Sequence, residues 1–320
     1  MSSYRHTLET SAAAHQRGDS AALALVVETE GSTYVGPGAM ALFGAREGQT
    51  GWLSGGCLEP EIEKRARSAA AQSRIEWMDI DTRDDEDLIG GSALGCRGRL
   101  RLALLPLSVM RGWPALVEAW KLGHVPLRIS VSTQGEVLAE VGDLQQRWRM
   151  DAAHSEEFHP SAGIWNLSIP APPAVLVFGA GPETPTLLPL LRSLGWMTTL
   201  VERRARWLPE ARHADARMEA SPQTAMSMLE RAFDAALVMN HNFEVDREAL
   251  DALAEGEIAF VGLLGPVRRR EDLFRVLPPA ARETLLPRLH SPVGLKLGGQ
   301  GPEAIALSIA AQLQAYRFPQ

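Results

Sequence analysis

Apolar and polar positions fall into two regimes along the chain. In the first half, residues 21–29 (AALALVVET) form an apolar run of strand length, and 39–43 with 49–53 pattern as a hairpin over a glycine-containing turn. Residues 59–73 carry Ile62, Ala66, Ala69 and Ala70 at helical spacing among charges, which predicts a helix. Residues 74–80 and 99–107 alternate as strands, 113–122 reads as a helix, and 127–133 with 137–141 predict a second hairpin around Gln134-Gly135. Periodicity fades between 142 and 173, where Pro160, Pro170, Pro172 and Pro173 accumulate. That stretch is expected to be the tail of a first domain and a stiff linker.

The second half is more regular. Residues 174–178 (AVLVF), 198–201, 235–239 and 259–264 are short apolar runs, separated by helical segments, and 302–316 closes the chain as a helix. Strands that are apolar without alternation, with helices between them, predict a parallel sheet covered on both faces.

Composition then removes whole classes. The chain has 320 residues and a formal net charge of −7, which argues against a general nucleic-acid binder. Hydrophobic residues make up 45% and charged residues 22%, as in an ordinary globular protein able to bury its own core. Two cysteines, Cys57 and Cys96, are too few for a disulfide framework or a four-cysteine zinc site. Residues 1–18 lack the apolar stretch of a signal peptide, and no apolar run approaches the roughly 18–20 residues of a membrane span. The expectation is a soluble, cytoplasmic protein with no membrane partner.

Four glycine-rich loops carry the candidate chemistry. Gly179-Ala180-Gly181 follows a buried strand and opens a helix, where the first glycine permits a tight turn and the second lets a pyrophosphate approach the backbone. Thr184 stands where the third glycine of that fingerprint belongs. Glu202 closes the next strand, where an acid holds a ribose hydroxyl, and Arg203 and Arg204 beside it suit a 2′-phosphate instead. His241, Gly262, Gly265 and the arginines 268–270 follow later strands and converge on the same sheet edge. His241 is a candidate acid–base group or phosphate donor, against the simpler reading of a solvated loop histidine. The alternative for the whole motif is a Rossmann-like turn without a dinucleotide. The resulting fold class is α/β: an N-terminal mixed α/β domain over 1–165, then a C-terminal Rossmann-like domain with a largely parallel sheet over 170–320.

In the first half, Gly55 and Gly56 free the backbone to form an anion-binding concavity just before a helix, and Cys57 lies at that helix start. A thiolate there suits a nucleophile, a persulfide carrier or a soft metal ligand. Cys96, between Gly95 and Arg97-Gly98, repeats the theme. The alternative for both is the common one of a small buried side chain. Glu59 either orients the loop or complements the helix N-terminus. Gly31, Ser32 and Thr33, followed by Gly36-Pro37-Gly38, add hydroxyl donors and exposed backbone after the first strand.

Taken in order, Gly31-Ser32-Thr33, Pro37-Gly38-Ala39-Met40 and Gly55-Gly56-Cys57-Leu58-Glu59 resemble the N-terminal signature of the XdhC/CoxI family. Phe178-Gly179-Ala180-Gly181-Pro182, Asn240-His241, Gly262-Leu263-Leu264-Gly265, Ser291-Pro292-Val293-Gly294-Leu295 and Pro302-Glu303-Ala304-Ile305-Ala306 resemble its second half. The resemblance implies a non-catalytic chaperone that binds the molybdenum cofactor (molybdopterin) transiently, supports its sulfuration by a cysteine desulfurase, and inserts it into an apo molybdenum hydroxylase of the xanthine or aldehyde dehydrogenase type. Cys57 and Cys96 then become candidate contacts to molybdenum, and Cys57 a candidate sulfur carrier. The chain departs from the family pattern at Cys96-Arg97-Gly98, Tyr34-Val35-Gly36, Lys296 and Gln312, which bears on the client enzyme and the cofactor form. The competing reading is an NAD(P)-dependent oxidoreductase using Gly179 and Gly181, with Glu202 on the ribose and His241 as proton donor. A third is a scaffold whose nucleotide-binding half regulates delivery by the first. The many Trp and Leu residues are compatible with a homodimer, although no heptad repeat specifies one.

Overall fold

The computed structural model describes residues 4–81, 98–153, 163–229 and 231–319. The chain divides into two compact units, Met1–Ala171 and Pro172–Gln320, with the division inside the proline run.

The first unit contains α1 (Tyr4–Arg17), β1 (Ala22–Gly31), β2 (Met40–Phe43), α2 (Glu59–Gln72), β3 (Ile75–Asp81), β4 (Gly98–Pro106) and α3 (Trp113–Leu122). These are followed by β5 (Leu127–Ser132), β6 (Glu136–Val141), β7 (Leu144–Arg149), β8 (Ala152–Ala153) and β9 (Ile164–Ile169). Among the described residues one sheet runs β2-β1-β4-β3-β8 and a second runs β7-β6-β5-β9. The unbroken apolar character of residues 22–27 in β1 has a direct cause, since both faces of that stretch are covered. Ala22, Ala24 and Val26 pack with Ile62, Ala66 and Ala69 of α2. Leu23, Leu25 and Val27 face a core shared with Leu8 of α1, Trp113 and Trp120 of α3, and the second sheet.

Two expectations are corrected here. Residues 49–53 do not form a strand, because only Thr50 bridges back to Leu42. The stretch 142–173 is not merely tail and linker, since it carries β7, β8 and β9. In β9 Trp165, Leu167 and Ile169 point inward and Ile164, Asn166 and Ser168 outward, the alternation of a half-buried strand.

The second unit contains β10 (Ala174–Phe178), α4 (Thr184–Ser193), β11 (Met197–Val201), β12 (Ala216–Met218), α5 (Pro222–Ser227) and β13 (Ala235–Val238). It continues with α6 (Phe243–Ala254), β14 (Phe260–Leu263), α7 (Val267–Val276), α8 (Pro279–Leu285), β15 (Leu289–His290) and α9 (Pro302–Arg317). Its sheet runs β12-β11-β10-β13-β14-β15 with every pairing parallel. Numbered within the unit, that is the 3-2-1-4-5-6 order of a Rossmann fold, with the chain reversing direction across the sheet between β10 and β13. Leu176 and Phe178 pack on the α6 and α8 side, while Val175 and Val177 pack on the α4 and α9 side. Burial on both faces explains why these strands are apolar throughout.

Candidate functional site

In the first unit the loop before α2 is built around one buried carboxyl group. Glu59 accepts from the Leu53 amide at 3.1 Å and the Ser54 amide at 2.8 Å, and its other oxygen takes the Ser54 hydroxyl proton in a short hydrogen bond. The Ser54 hydroxyl oxygen in turn accepts from the Gly56 amide at 3.2 Å and the Leu58 amide at 3.1 Å. The Cys57 sulfur lies 3.6 Å from the same oxygen. Burial alone would raise the Glu59 carboxyl, but the hydrogen bonds from Ser54 and the loop amides outweigh it and hold it below the ordinary carboxylate range. Residues 53–58 are thereby wrapped round Glu59, and the Cys57 side chain is left exposed at their tip. Glu59 thus sits where it orients the loop from inside.

Beside Leu58 opens a cavity of about 560 Å³ lined by Glu61 and Arg65 of α2, Asp79 and Asp81 of β3, and Arg99 of β4. The floor of that sheet end is ionic. Buried Arg101 donates to Asp79 at 3.0 and 2.9 Å and to Glu28 at 3.0 Å, and Glu28 also accepts from the Trp165 indole at 2.9 Å. Arg99 pairs closely with Asp79. Gly31 lies opposite Gly98 across the β1–β4 pairing, which brings Gly31, Ser32 and Thr33 to the same end of the sheet as Arg99. The Thr33 hydroxyl is used within its own loop, donating to the Val35 carbonyl at 2.8 Å. Cys96 lies outside the described residues. Among the described residues, no three His, Cys, Asp or Glu side chains converge as a metal-ligand set.

In the second unit the predicted residues do meet at the carboxyl ends of the strands, but they bond chiefly to one another. The Ala180 amide donates to Glu202 at 2.8 Å, and the Gly181 amide donates to the Thr184 hydroxyl at 2.8 Å. Arg204 folds back over the loop, bonded to Glu202 at 2.5 and 2.9 Å, to the Ala180 carbonyl at 3.0 Å, and closely to the Asn240 carbonyl. Burial would raise the Glu202 carboxyl, but Arg204 and the Ala180 amide hold it below the usual range. His241 pairs through Nε2 with Glu183 at 3.0 Å. That pair holds the imidazole above its ordinary value, against partial burial. Asp246 accepts from the Asn240 amide and side chain at 3.0 Å each and from Arg269 at 2.5 Å. Gly262 is buried inside β14, where an added Cβ would lie 2.6 Å from Val293 and 2.8 Å from Leu237. The missing side chain thus leaves room for Val293 and Leu237. Gly265 makes room for the Arg269 side chain, whose Cδ would lie 2.6 Å from an added Cβ.

Sequence reasoning missed Ser54, Glu183, Arg65, Arg99 and Arg101. Glu183 is the one with a readable signal, because it follows the Gly179-Ala180-Gly181 turn directly at the start of α4.

Among the described residues no helix is long and apolar enough to cross a membrane. Residues 14–80 match the model of the XdhC and CoxI family, and residues 175–313 match that of the XdhC Rossmann domain. A Bacillus subtilis protein described as a probable xanthine dehydrogenase component is 26% identical over 313 residues, covering 92% of each chain. An uncharacterized Escherichia coli protein, YqeB, is 43% identical over 70 residues, which span 21% of this chain and 13% of that one. A crystal structure described as a xanthine dehydrogenase from Bacillus halodurans superposes with a TM-score of 0.77 at 27% identity, covering 99% of this chain and 97% of the other. Two family models in the expected order, a relative similar from end to end and a shared fold lead to one conclusion: the chain belongs to the XdhC and CoxI family.

Proposed function

We propose that this protein is a maturation factor for a molybdenum hydroxylase of the xanthine dehydrogenase type. In this reading its cargo is the molybdenum cofactor, which it binds and shields while a cysteine desulfurase supplies the terminal sulfur, then passes to the apoenzyme. The observation that carries the reading is the Cys57 loop. An exposed thiol stands at the tip of a loop fixed by Glu59 and Ser54, next to a cavity bearing Arg65 and Arg99.

The donor set fits such a cargo. A sulfur ligand suits molybdenum, and Arg65 and Arg99 at the cavity suit the cofactor's phosphate once it displaces their present carboxylate partners, Glu61 and Asp79. Cys57 contacts the cargo, Glu59 and Ser54 hold the loop in shape, and the arginines orient the anionic end. Further support comes from the family match and from relatives described as xanthine dehydrogenase components. The activity required is that of a carrier, so no turnover is asked of these residues.

The test is anaerobic mixing of the purified protein with molybdenum cofactor, filtration, and molybdenum analysis of the retained fraction. Wild-type protein is expected to retain molybdenum and Cys57→Ala to lose most of it. Equal retention and equal client activation by the variant would remove the thiol from the mechanism. No retention by intact wild-type protein would remove the cargo itself.

A further inference from the structure

A dinucleotide bound to a Rossmann fold needs two things from the first glycine turn: amides free to meet the pyrophosphate, and open space above the glycines. This chain offers neither. Gly179, Ala180 and Gly181 are all buried. The amides of Ala180 and Gly181 are already bonded to Glu202 and Thr184, each at 2.8 Å. Glu202, in the place of the ribose-binding acid, is turned inward onto the loop and sealed there by Arg204. The space above the glycines is filled as well. A Cβ on Gly179 would run into the Asn240 side chain, and one on Gly181 would lie 2.7 Å from Glu183 Oε1 and 2.8 Å from His241 Nε2. The glycines are thus required by the chain's own side chains, and the dinucleotide does not fit the turn as it is built.

What the switch point presents to solvent in its place is an imidazole backed by a buried carboxyl group. The Glu183 side chain is 2% exposed and that of His241 48% exposed, with 3.0 Å between Oε1 and Nε2. His241 is held at φ +53°, a left-handed conformation uncommon for a non-glycine residue and found preferentially at functional sites. With Nε2–H directed at Glu183, Nδ1 is the ring nitrogen left to exchange a proton. The charged groups around the ring are Glu183 before α4, Asp246 of α6 and Arg269 of α7, the last two paired with each other.

We infer that the glycine turn of the second unit is ligated by its own side chains and closed to NAD(P), and that the Glu183–His241 pair makes this crevice a proton-handling site. Glu183 is the positioning residue, and His241 is the group that meets a ligand. The inference concerns the second unit alone and stands or falls independently of where the molybdenum cofactor binds.

Amide and imidazole NMR on the full-length protein tests both halves. With NADH or NADPH added to millimolar concentration, the Ala180 and Gly181 amide signals are expected to stay in place. A saturable shift of either would overturn the closed turn. The His241 ring is expected to titrate above the ordinary histidine value in wild-type protein and to fall back toward it in Glu183→Gln. A His241 midpoint unaffected by that change would overturn the pair. The cofactor titration needs no variant, so it remains decisive even if Glu183→Gln folds poorly.

Discussion

At the scale of single residues, the first-unit site turns on Glu59. One buried carboxyl group satisfies two loop amides and a hydroxyl, and through that hydroxyl two further amides. Hydrogen bonds to an ionised group contribute about 1.5–3 kcal/mol, so Glu59→Gln is expected to lower unfolding stability by roughly that amount. It should also make Cys57 react faster with a thiol reagent, since the loop loses its anchor. A urea midpoint and an alkylation rate both unchanged from wild type would show that the loop is held by something else. The importance of Glu59 was only half legible in the sequence. Its place beside Gly55-Gly56-Cys57 was visible, but its inward direction depends on the fold. The same holds for Thr184, which reads as a flaw in a glycine fingerprint until its hydroxyl is seen to accept the Gly181 amide.

At the scale of elements, legibility followed how each element buries its apolar side. The strands β10, β11, β13 and β14 are buried on both faces and were readable as apolar runs. The helix α1 was missed because Leu8 is its one large buried aliphatic residue, beside Arg5, Thr7, Ser11 and Ala14. Its polar groups are satisfied in place, with Ser11 accepting from the Trp113 indole at 2.9 Å and Arg5 bonded to Glu9 at 3.0 Å. The strand β7 (LQQRWR) has a single fully buried side chain, Trp148, so period-two alternation is barely visible in its sequence. Where strand meets loop in the first unit, β4 and the 31–33 loop are in close contact at Gly98. An added Cβ there would lie 2.5 Å from the Ser32 carbonyl oxygen and 2.7 Å from the Thr33 side chain. Gly98→Ala is therefore expected to push the 31–33 loop off β4 and to cost about 1–3 kcal/mol, the usual range for overpacking. Chemical denaturation measures it, and a variant as stable as wild type would mean that the loop gives way freely.

At the scale of the whole molecule, the perturbed groups make opposed demands on pH. Glu59 in the first unit and Glu202 in the second titrate below their ordinary value, so each stabilises the fold above pH about 4.5 and loses that contribution as pH falls through its folded value. His241 is raised by Glu183, so its contribution is complete below about 6.5 and is lost as pH rises through its folded value. His290 runs the other way. Burial lowers it, and its ring stacks on Phe260 at 4.0 Å, so it favours the fold in its neutral form. Its contribution is complete above about 6.5 and is lost as pH falls through its folded value. The two histidines of the second unit therefore act on opposite sides of pH about 6.5, and their joint contribution is expected to be greatest there and to fall away on either side. His241→Asn keeps a residue type that tolerates a left-handed backbone while removing one side of the balance. The His290 contribution is common to both proteins, and only wild type has the His241 contribution to lose, so the variant's stability should rise relative to wild type as pH increases from about 6.5 through the folded His241 value. Unfolding midpoints collected at several pH values for both proteins measure this directly. Parallel curves would show that His241 gains nothing from Glu183 in the folded state, and would remove the electrostatic basis for the pair at the sheet's switch point.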